Sequence, residues 1–220
     1  MRIRKSGICC MMCMLMLGIG GCSWKQNQDM AEHSESFFAM DTYMTFTAYG
    51  TDAEPAVLAA EDKIRELEEL WSVTDKNSDV YAVNHSSGQT VTVDWKTAEL
   101  LSYALDMAEE TNGALEPTIY PVLTAWGFTT GENRVPAETE LAELLEKVGY
   151  DKVELNNDQI QMEPGGMIDL GAVGKGYAGD EAAQILRERG ITAALLDIGG
   201  NIQAIGTKPD GSDWRVGLKD

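Results

Sequence analysis

The alternation of apolar and polar residues divides the first half of the chain into a strand and two helices joined by polar segments. Residues 37–49 alternate and are rich in Phe, Thr and Tyr, which predicts a β-strand ending at Gly50. Apolar residues at helical spacing then predict a helix with one buried stripe and an acidic outer face. The stripe consists of Val57, Ala60, Ile64, Leu67 and Trp71. Residues 96–110 predict a second amphipathic helix, which Asn112-Gly113 closes.

The rest of the chain predicts short strands between helices. A polar loop with a short turn of helix covers residues 72–87, and further helices are expected at 138–148 and 177–189. The predicted strands lie at 90–94, 152–155, 159–162, 193–198, 201–205 and 214–218. Residues 156–158 are typical of a hairpin turn between two of these strands. This mixture predicts an α+β fold, a layered antiparallel or mixed sheet with helices.

A glycine-rich run, Asp169 to Asp180, separates a strand-like segment from the helix at 177–189. Glycines at a strand-to-helix turn let the backbone approach a bulky anion, and Lys175 adds a cation there. Asp169, just before the turn, is placed to hydrogen-bond a ligand or to help hold a metal. The spacing fits neither the Walker pattern nor the dinucleotide fingerprint. A tight structural connection is therefore the alternative to a phosphate site.

The N-terminus predicts export and lipidation. Arg2, Arg4 and Lys5 precede a short apolar segment that ends in small residues before Cys22. This is typical of a lipoprotein signal peptide over residues 1–21, after which Cys22 carries the lipid anchor. An ordinary signal peptide with an incidental cysteine is the alternative. Residues 22–36 are expected to form the lipidated cysteine and a flexible tether. We therefore expect a lipid-anchored protein on the extracytoplasmic, periplasmic face of the cell membrane.

Charge and cysteine usage narrow the possible functions. The formal net charge of −19 disfavours nucleic-acid binding, and an anionic ligand needs a local cation or metal to offset it. Three of the four cysteines lie in the predicted signal peptide, and the fourth is Cys22. No disulfide, catalytic thiol or zinc site is expected in the mature domain.

Six separated stretches resemble, in order, motifs of the ApbE family, the FAD:protein FMN transferases. They are FAMDT at 38–42, WSVTDKNSDVYAVN at 71–84, NGALEPT at 112–118, WGF at 126–128, DLGAVGKGYAGD at 169–180 and DIGGN at 197–201. The resemblance implies an ApbE-like, T-fold-like domain over residues 37–220. The family continues for roughly another third with motifs that supply acidic metal ligands. We therefore expect this domain to be incomplete, with its C-terminal part missing.

The resemblance implies a magnesium-dependent reaction. Family members cleave FAD, attach FMN to a threonine of a target protein and release AMP. Targets include subunits of sodium-pumping NADH:quinone and Rnf-type complexes. Catalytic roles fall on Asp169 and Lys175, with the amides near Gly174 and Gly176 also holding phosphates, and the carbonyl of Ala172 would bind Mg²⁺. The implied FAD contacts are Met40, Thr74, Ala114, Leu115, Glu116, Asp169 and Lys175.

Several assignments have alternatives. By its position in an apolar strand Met40 is a candidate core residue. Glu116 is alternatively a solvated turn carboxylate, and Lys175 a partner in a surface ion pair. Many family members carry tyrosine where this chain has Thr74, so stacking on the flavin is weakened. That substitution motivates an FAD pyrophosphatase that releases FMN and AMP. The absent metal ligands motivate a non-catalytic flavin-binding lipoprotein.

Overall fold

The computed structural model describes residues 31–217, which form an α+β fold as predicted. The predicted signal peptide and Cys22 lie outside the described residues. No helix between residues 31 and 217 is both long and apolar enough to cross a membrane.

The described residues contain strands, α-helices and one 3-10 helix at Tyr150–Lys152. The strands are β1 Glu32–Ala39, β2 Thr42–Tyr49, β3 Val91–Thr92, β4 Val153–Asn156, β5 Gln159–Met162, β6 Ala194–Ile198 and β7 Asn201–Ile205. The helices are α1 Ala53–Trp71, α2 Asp79–Asn84, α3 Trp95–Glu110, α4 Tyr120–Trp126, α5 Glu138–Leu145 and α6 Gly171–Glu188. Helix α4, which carries Pro121 in its first turn, was not predicted.

The strands form two antiparallel sheets. One has the order β1-β2-β6-β7, with Met44 opposite Ile198, and the other has the order β3-β5-β4. The predicted hairpin at residues 152–162 is confirmed, and Asn157 occupies its turn with φ 57°.

The core lies between one face of the four-stranded sheet and helices α1 and α6. Alternate residues of β2 and β6 point to this face, and α1 presents its predicted apolar stripe to it. The largest fully buried side chains of this layer include Met44, Phe46, Ile64, Leu67, Leu186, Leu196 and Ile198. Burying a side chain of this size contributes roughly 1.5–3 kcal/mol, so this layer fixes the positions of α1 and α6.

The single strand predicted at residues 37–49 is wrong, because the chain turns back at Met40 and Asp41. Both residues have positive φ, 48° and 57°, and they join β1 to β2 as a two-residue hairpin turn. Such turns usually carry glycine or asparagine, so this one lacked its usual signal. The predicted tether also ends early, since β1 begins at Glu32 and pairs with β2 throughout. The outer face of this extension carries polar pairs such as Ser34–Thr47, which leave no apolar alternation to detect.

The glycine-rich run is helical from Gly171, six residues before the predicted start of the helix at Tyr177. Glycine is a poor helix former, but close packing favours it here. A Cβ on Gly179 would lie 2.7 Å from Ile198 Cδ1, so glycine lets α6 approach the sheet. Tertiary packing therefore overrides the local propensity.

The strand predicted at 214–218 does not form over residues 214–217, and Leu218 lies outside the described residues. The Trp214 indole instead donates a hydrogen bond to the carbonyl of Gly206 at 2.9 Å, and its ring packs near Tyr49. This contact holds the segment against the end of the sheet without pairing it to a strand.

Candidate functional site

Two cavities flank the first two turns of α6. The α1 cavity, about 340 Å³, lies between the β1–β2 turn, the end of α1 and the start of α6. Four predicted site residues line it, namely Met40, Thr74, Asp169 and Lys175. The fold thus brings together residues that are far apart in sequence.

The α3 cavity, about 630 Å³, lies on the other side of α6. Tyr103 of α3, Leu115 and Asn201 at the start of β7 line it together with Ala172 and Lys175. Its wall is partly apolar, which suits a ring or a sugar more than a bare anion.

Lys175 and Gly171 line both cavities. The Lys175 side chain is half-buried and forms no ion pair with any residue in 31–217. Other cations of this acidic chain do pair with carboxylates, as Lys96 does with Glu66 at 3.1 Å. The surface ion pair considered for Lys175 therefore does not form within the described part of the chain, and its charge is available to an anion between the cavities.

Asp169 is fixed at the entrance to α6. Its amide donates to the carbonyl of Pro117 at 2.8 Å, and its Oδ1 accepts from the amide of Gly171 at 2.7 Å. The carboxylate therefore satisfies one of the free N–H groups at the start of the helix. Its negative charge also opposes direct contact with phosphate, so it suits a hydroxyl, an N–H group or a cation of the ligand.

The expectation that the amides near Gly174 and Gly176 hold phosphates is wrong. The Gly174 amide donates to the carbonyl of Leu170 at 2.7 Å, and Gly176 lies inside α6, where amides bond the preceding turn. The Val173 amide also donates to Leu170, at 3.1 Å. The amides of Val173, Gly174 and Gly176 therefore serve the helix, and the side chain of Lys175 is the candidate anion-binding group of this segment.

Met40 lies at the β1–β2 turn and on the wall of the α1 cavity. Its amide donates to Glu68 Oε1 at 2.7 Å, which ties the turn to α1. The side chain is half-buried and also packs against the core, as its alternative assignment predicted, whereas its contact with FAD stays a prediction.

The loop at residues 114–116 contributes unequally. Leu115 lines the α3 cavity, whereas Ala114 and Glu116 line neither cavity. Glu116 Oε1 accepts from the Thr118 hydroxyl at 2.7 Å, and Oε2 accepts from the amide of Tyr150 at 3.1 Å. Glu116 therefore fixes the loop that carries Leu115. This role differs from both assignments considered for Glu116, a contact with FAD and a solvated turn carboxylate.

Two aromatic residues shape the site from between the cavities, namely Trp71, which was predicted as part of the buried stripe of α1, and Tyr177. Trp71 lines the α1 cavity, Tyr177 lines the α3 cavity, and their rings meet edge to face at 5.4 Å. Burial, reinforced by a hydrogen bond to Glu99, raises the pKa of the Tyr177 hydroxyl. Tyr177 is therefore a neutral donor in this wall. Helical spacing alone could not distinguish a core position from a cavity wall.

The predicted magnesium ligand, Ala172, lies in the first turn of α6 and on the wall of the α3 cavity. Within residues 31–217, no three His, Cys, Asp or Glu side chains come together as a metal site. Magnesium prefers six oxygen ligands. The described donors therefore do not fit Mg²⁺ by themselves.

Comparison with known proteins places these observations in one family. The family model described as "ApbE family" matches residues 40–220. The FAD:protein FMN transferase of Treponema pallidum is 27% identical over 227 residues, covering 94% of this chain and 62% of that protein. The FAD:protein FMN transferase of Escherichia coli K12 is 26% identical over 191 residues, covering 82% of this chain and 54% of that protein. The chain thus spans a little over half the length of these relatives.

Solved structures agree with the sequence comparison. The ApbE protein of Thermotoga maritima superposes with a TM-score of 0.80 at 32% identity, covering 86% of this chain and 64% of that one. The flavinyl transferase ApbE of Pseudomonas stutzeri, in its apo form, has a TM-score of 0.79 at 24% identity, covering 86% and 62%. The second similarity supports the fold alone.

Proposed function

The chain belongs to the ApbE family, and from this premise we propose that it is a flavin transferase acting on FAD and a protein. The threonine oxygen of the acceptor bonds to the phosphorus of the FMN half while the anhydride bond to AMP breaks. AMP leaves with the bridging oxygen, and the hydroxyl proton passes to water. Such a transfer depends on charge neutralisation and positioning more than on covalent help from the protein.

One observation carries this proposal: Lys175 lies between two cavities, and its ammonium group has no carboxylate partner among residues 31–217. A dinucleotide has a ring system at each end and a diphosphate in the middle. A ring in each cavity would place the diphosphate near Lys175. The cation would then neutralise charge that builds up as the anhydride bond breaks.

The remaining residues orient the ligand. Asp169 is held by backbone contacts and presents a carboxylate to polar hydrogens of FAD. Met40 and Thr74 line one ring site, and Leu115 lines the other. Rigid placement of this kind lowers the entropic cost of reaching a reactive geometry.

Magnesium dependence is part of the proposal, supported by the resemblance and by the need to neutralise a diphosphate. The Ala172 carbonyl is one candidate ligand. The residues described between 31 and 217 do not complete a magnesium site by themselves.

We further propose a location and a class of partner. The N-terminal pattern supports a lipid anchor on Cys22 and an extracytoplasmic position for the domain. Acceptors there would be membrane-bound redox complexes of the sodium-pumping NADH:quinone or Rnf type, as the family resemblance implies.

The test is transfer of FMN to a co-expressed acceptor subunit, measured by intact mass. The intact protein should add one FMN to the acceptor, and Lys175→Ala and Asp169→Ala should abolish the gain. Lys76→Ala, in an exposed loop, is the matched control and should transfer normally. AMP release that does not require an acceptor would favour the pyrophosphatase instead. FAD binding without turnover would favour the flavin-binding lipoprotein.

A further inference from the structure

We propose that Trp71 is a further ligand-binding residue, whose indole contacts the planar ring of the nucleotide that enters the α1 cavity. This inference rests on the proposed function, since the ring in question belongs to FAD. The sequence placed Trp71 in the buried stripe of α1, and the contact with a ligand is an additional role.

Trp71 lies at the edge of the core, where it also forms part of the wall of the α1 cavity. It is the last residue of α1, is only 8% exposed and lines the α1 cavity. One side of the indole rests on α6, where a Cβ on Gly174 would lie 3.6 Å from Cε3, and Tyr177 contacts it edge to face. These contacts hold the ring firmly beside the cavity.

The indole N–H of Trp71 is buried and has no hydrogen-bond partner among the described residues. A buried donor left without a partner is destabilising, so buried indoles usually find an acceptor. The flavin and adenine rings both carry acceptor oxygens or nitrogens at their edges. An acceptor from the ligand would therefore remove a cost that the ligand-free protein bears. Since the nitrogen is covered in this structure, the side chains over it must shift when the ligand enters.

Trp71 is also the aromatic residue of this cavity. The other lining side chains are aliphatic, polar or charged, and Thr74 offers no ring. Stacking or edge contacts with an aromatic side chain are a main source of affinity for a planar base. Trp71 thus supplies the aromatic surface that a nucleotide ring requires here.

The test compares FAD affinity in three variants of the intact protein. Trp71→Phe keeps an aromatic ring but removes the N–H, and we expect FAD to bind about three- to tenfold more weakly. Trp95→Phe changes an exposed indole of α3 that lies outside both cavities, and should bind FAD normally. Ile64→Val removes one methylene from the fully buried face of α1 and controls for lost packing. It should lower stability without changing FAD affinity.

Separate titrations with FMN and AMP identify which ring Trp71 contacts. A loss of affinity for FMN alone assigns the flavin to the α1 cavity, and a loss for AMP alone assigns the adenine. Either result supports the inference. FAD binding by Trp71→Phe within twofold of the wild type would overturn it, as would an equal loss in Ile64→Val. If the wild type itself failed to bind FAD, the proposed function would fall with it.

Discussion

The side chain of Asn84 forms hydrogen bonds with both backbone polar groups of Ile168. Asn84 Nδ2 donates to the Ile168 carbonyl at 2.9 Å, and the Ile168 amide donates to Asn84 Oδ1 at 2.7 Å. Both residues are buried, so the side chain imitates a neighbouring strand. The next residue is Asp169, and its position therefore depends on a side chain 85 positions earlier in the sequence.

Replacing Asn84 with alanine should destabilise the protein and loosen the site. The Ile168 N–H and carbonyl would both lose their partner in a buried setting, which costs about 2–4 kcal/mol in total. Urea denaturation measures the loss, and FAD affinity should fall because Asp169 is no longer held. Asn77→Ala, at an exposed position, should change stability by less than about 0.5 kcal/mol. An equal effect of the two variants would contradict the role of Asn84.

Removing the charge of Lys175 should weaken FAD binding and should make the FAD affinity less dependent on salt concentration. A charge-assisted hydrogen bond contributes about 1.5–3 kcal/mol, so Lys175→Ala should bind FAD roughly 10- to 100-fold more weakly. Wild-type affinity should fall as ionic strength rises, and this slope should flatten in the variant. Isothermal titration at several salt concentrations measures both effects. Parallel slopes in wild type and variant would show that Lys175 does not contact the anion.

Introducing a ring at position 74 should strengthen flavin binding. Thr74 is exposed and lines the α1 cavity, so a tyrosine has room to reach the ligand. Stacking is worth about 1–3 kcal/mol per ring, which predicts at least fivefold tighter binding of FMN to Thr74→Tyr. Thr90→Tyr, at an exposed position outside both cavities, serves as the control. No gain in Thr74→Tyr would place the flavin elsewhere.

Two glycines of α6 should respond oppositely to alanine. In Gly179→Ala the new methyl group would clash with Ile198 at 2.7 Å, and overpacking should outweigh the gain in helix propensity by about 1–2 kcal/mol. In Gly176→Ala the nearest atom is 3.9 Å away, at Asn201, so the helix should gain about 0.5–1 kcal/mol. Thermal unfolding distinguishes these signs. Gly176→Ala should also weaken nucleotide binding, because its methyl group enters the α3 cavity.

Alkaline pH should destabilise the sheet through Tyr49. A hydrogen bond to Glu32, at 2.7 Å, raises the pKa of the Tyr49 hydroxyl from 10.0 to about 12. The neutral form is favoured in the folded state, so this contribution is fully present below pH 10 and is lost as the pH rises toward 12. Urea unfolding between these values should show a smaller loss of stability for Tyr49→Phe than for the wild type. Identical pH dependence would exclude this pair as the cause.

Strong periodic patterns predicted elements well, and close contacts decided the rest. The apolar stripe from Val57 to Trp71 correctly predicted α1, because the spacing of apolar residues along an amphipathic helix is visible in the sequence itself. The turn at Met40 and Asp41 was missed because it contains no glycine. Residues 171–176 were expected to form a turn because glycine is a poor helix former. They are helical in the structure, where Gly174 lies against Trp71 of α1, a contact that no local pattern records.

The candidate site was predicted only in part, because the sequence identifies its residues but not the contacts between them. The structure brings Met40, Thr74, Asp169 and Lys175 to one cavity, as the motifs implied. The support that Asn84 gives to Asp169 and the orphaned indole of Trp71 are properties of three-dimensional contacts. The residues could be identified from sequence, but their hydrogen bonds could not.

Helix α6 separates the α1 cavity from the α3 cavity, and this position constrains how the two cavities can change in evolution. Both cavities share Gly171 and Lys175, which lie about one turn apart on α6, and α6 is packed against the sheet. A shift or rotation of α6 would widen one cavity only by narrowing the other. A related protein that accepts a bulkier ring would therefore need changes in the flanking loops, with α6 kept in place.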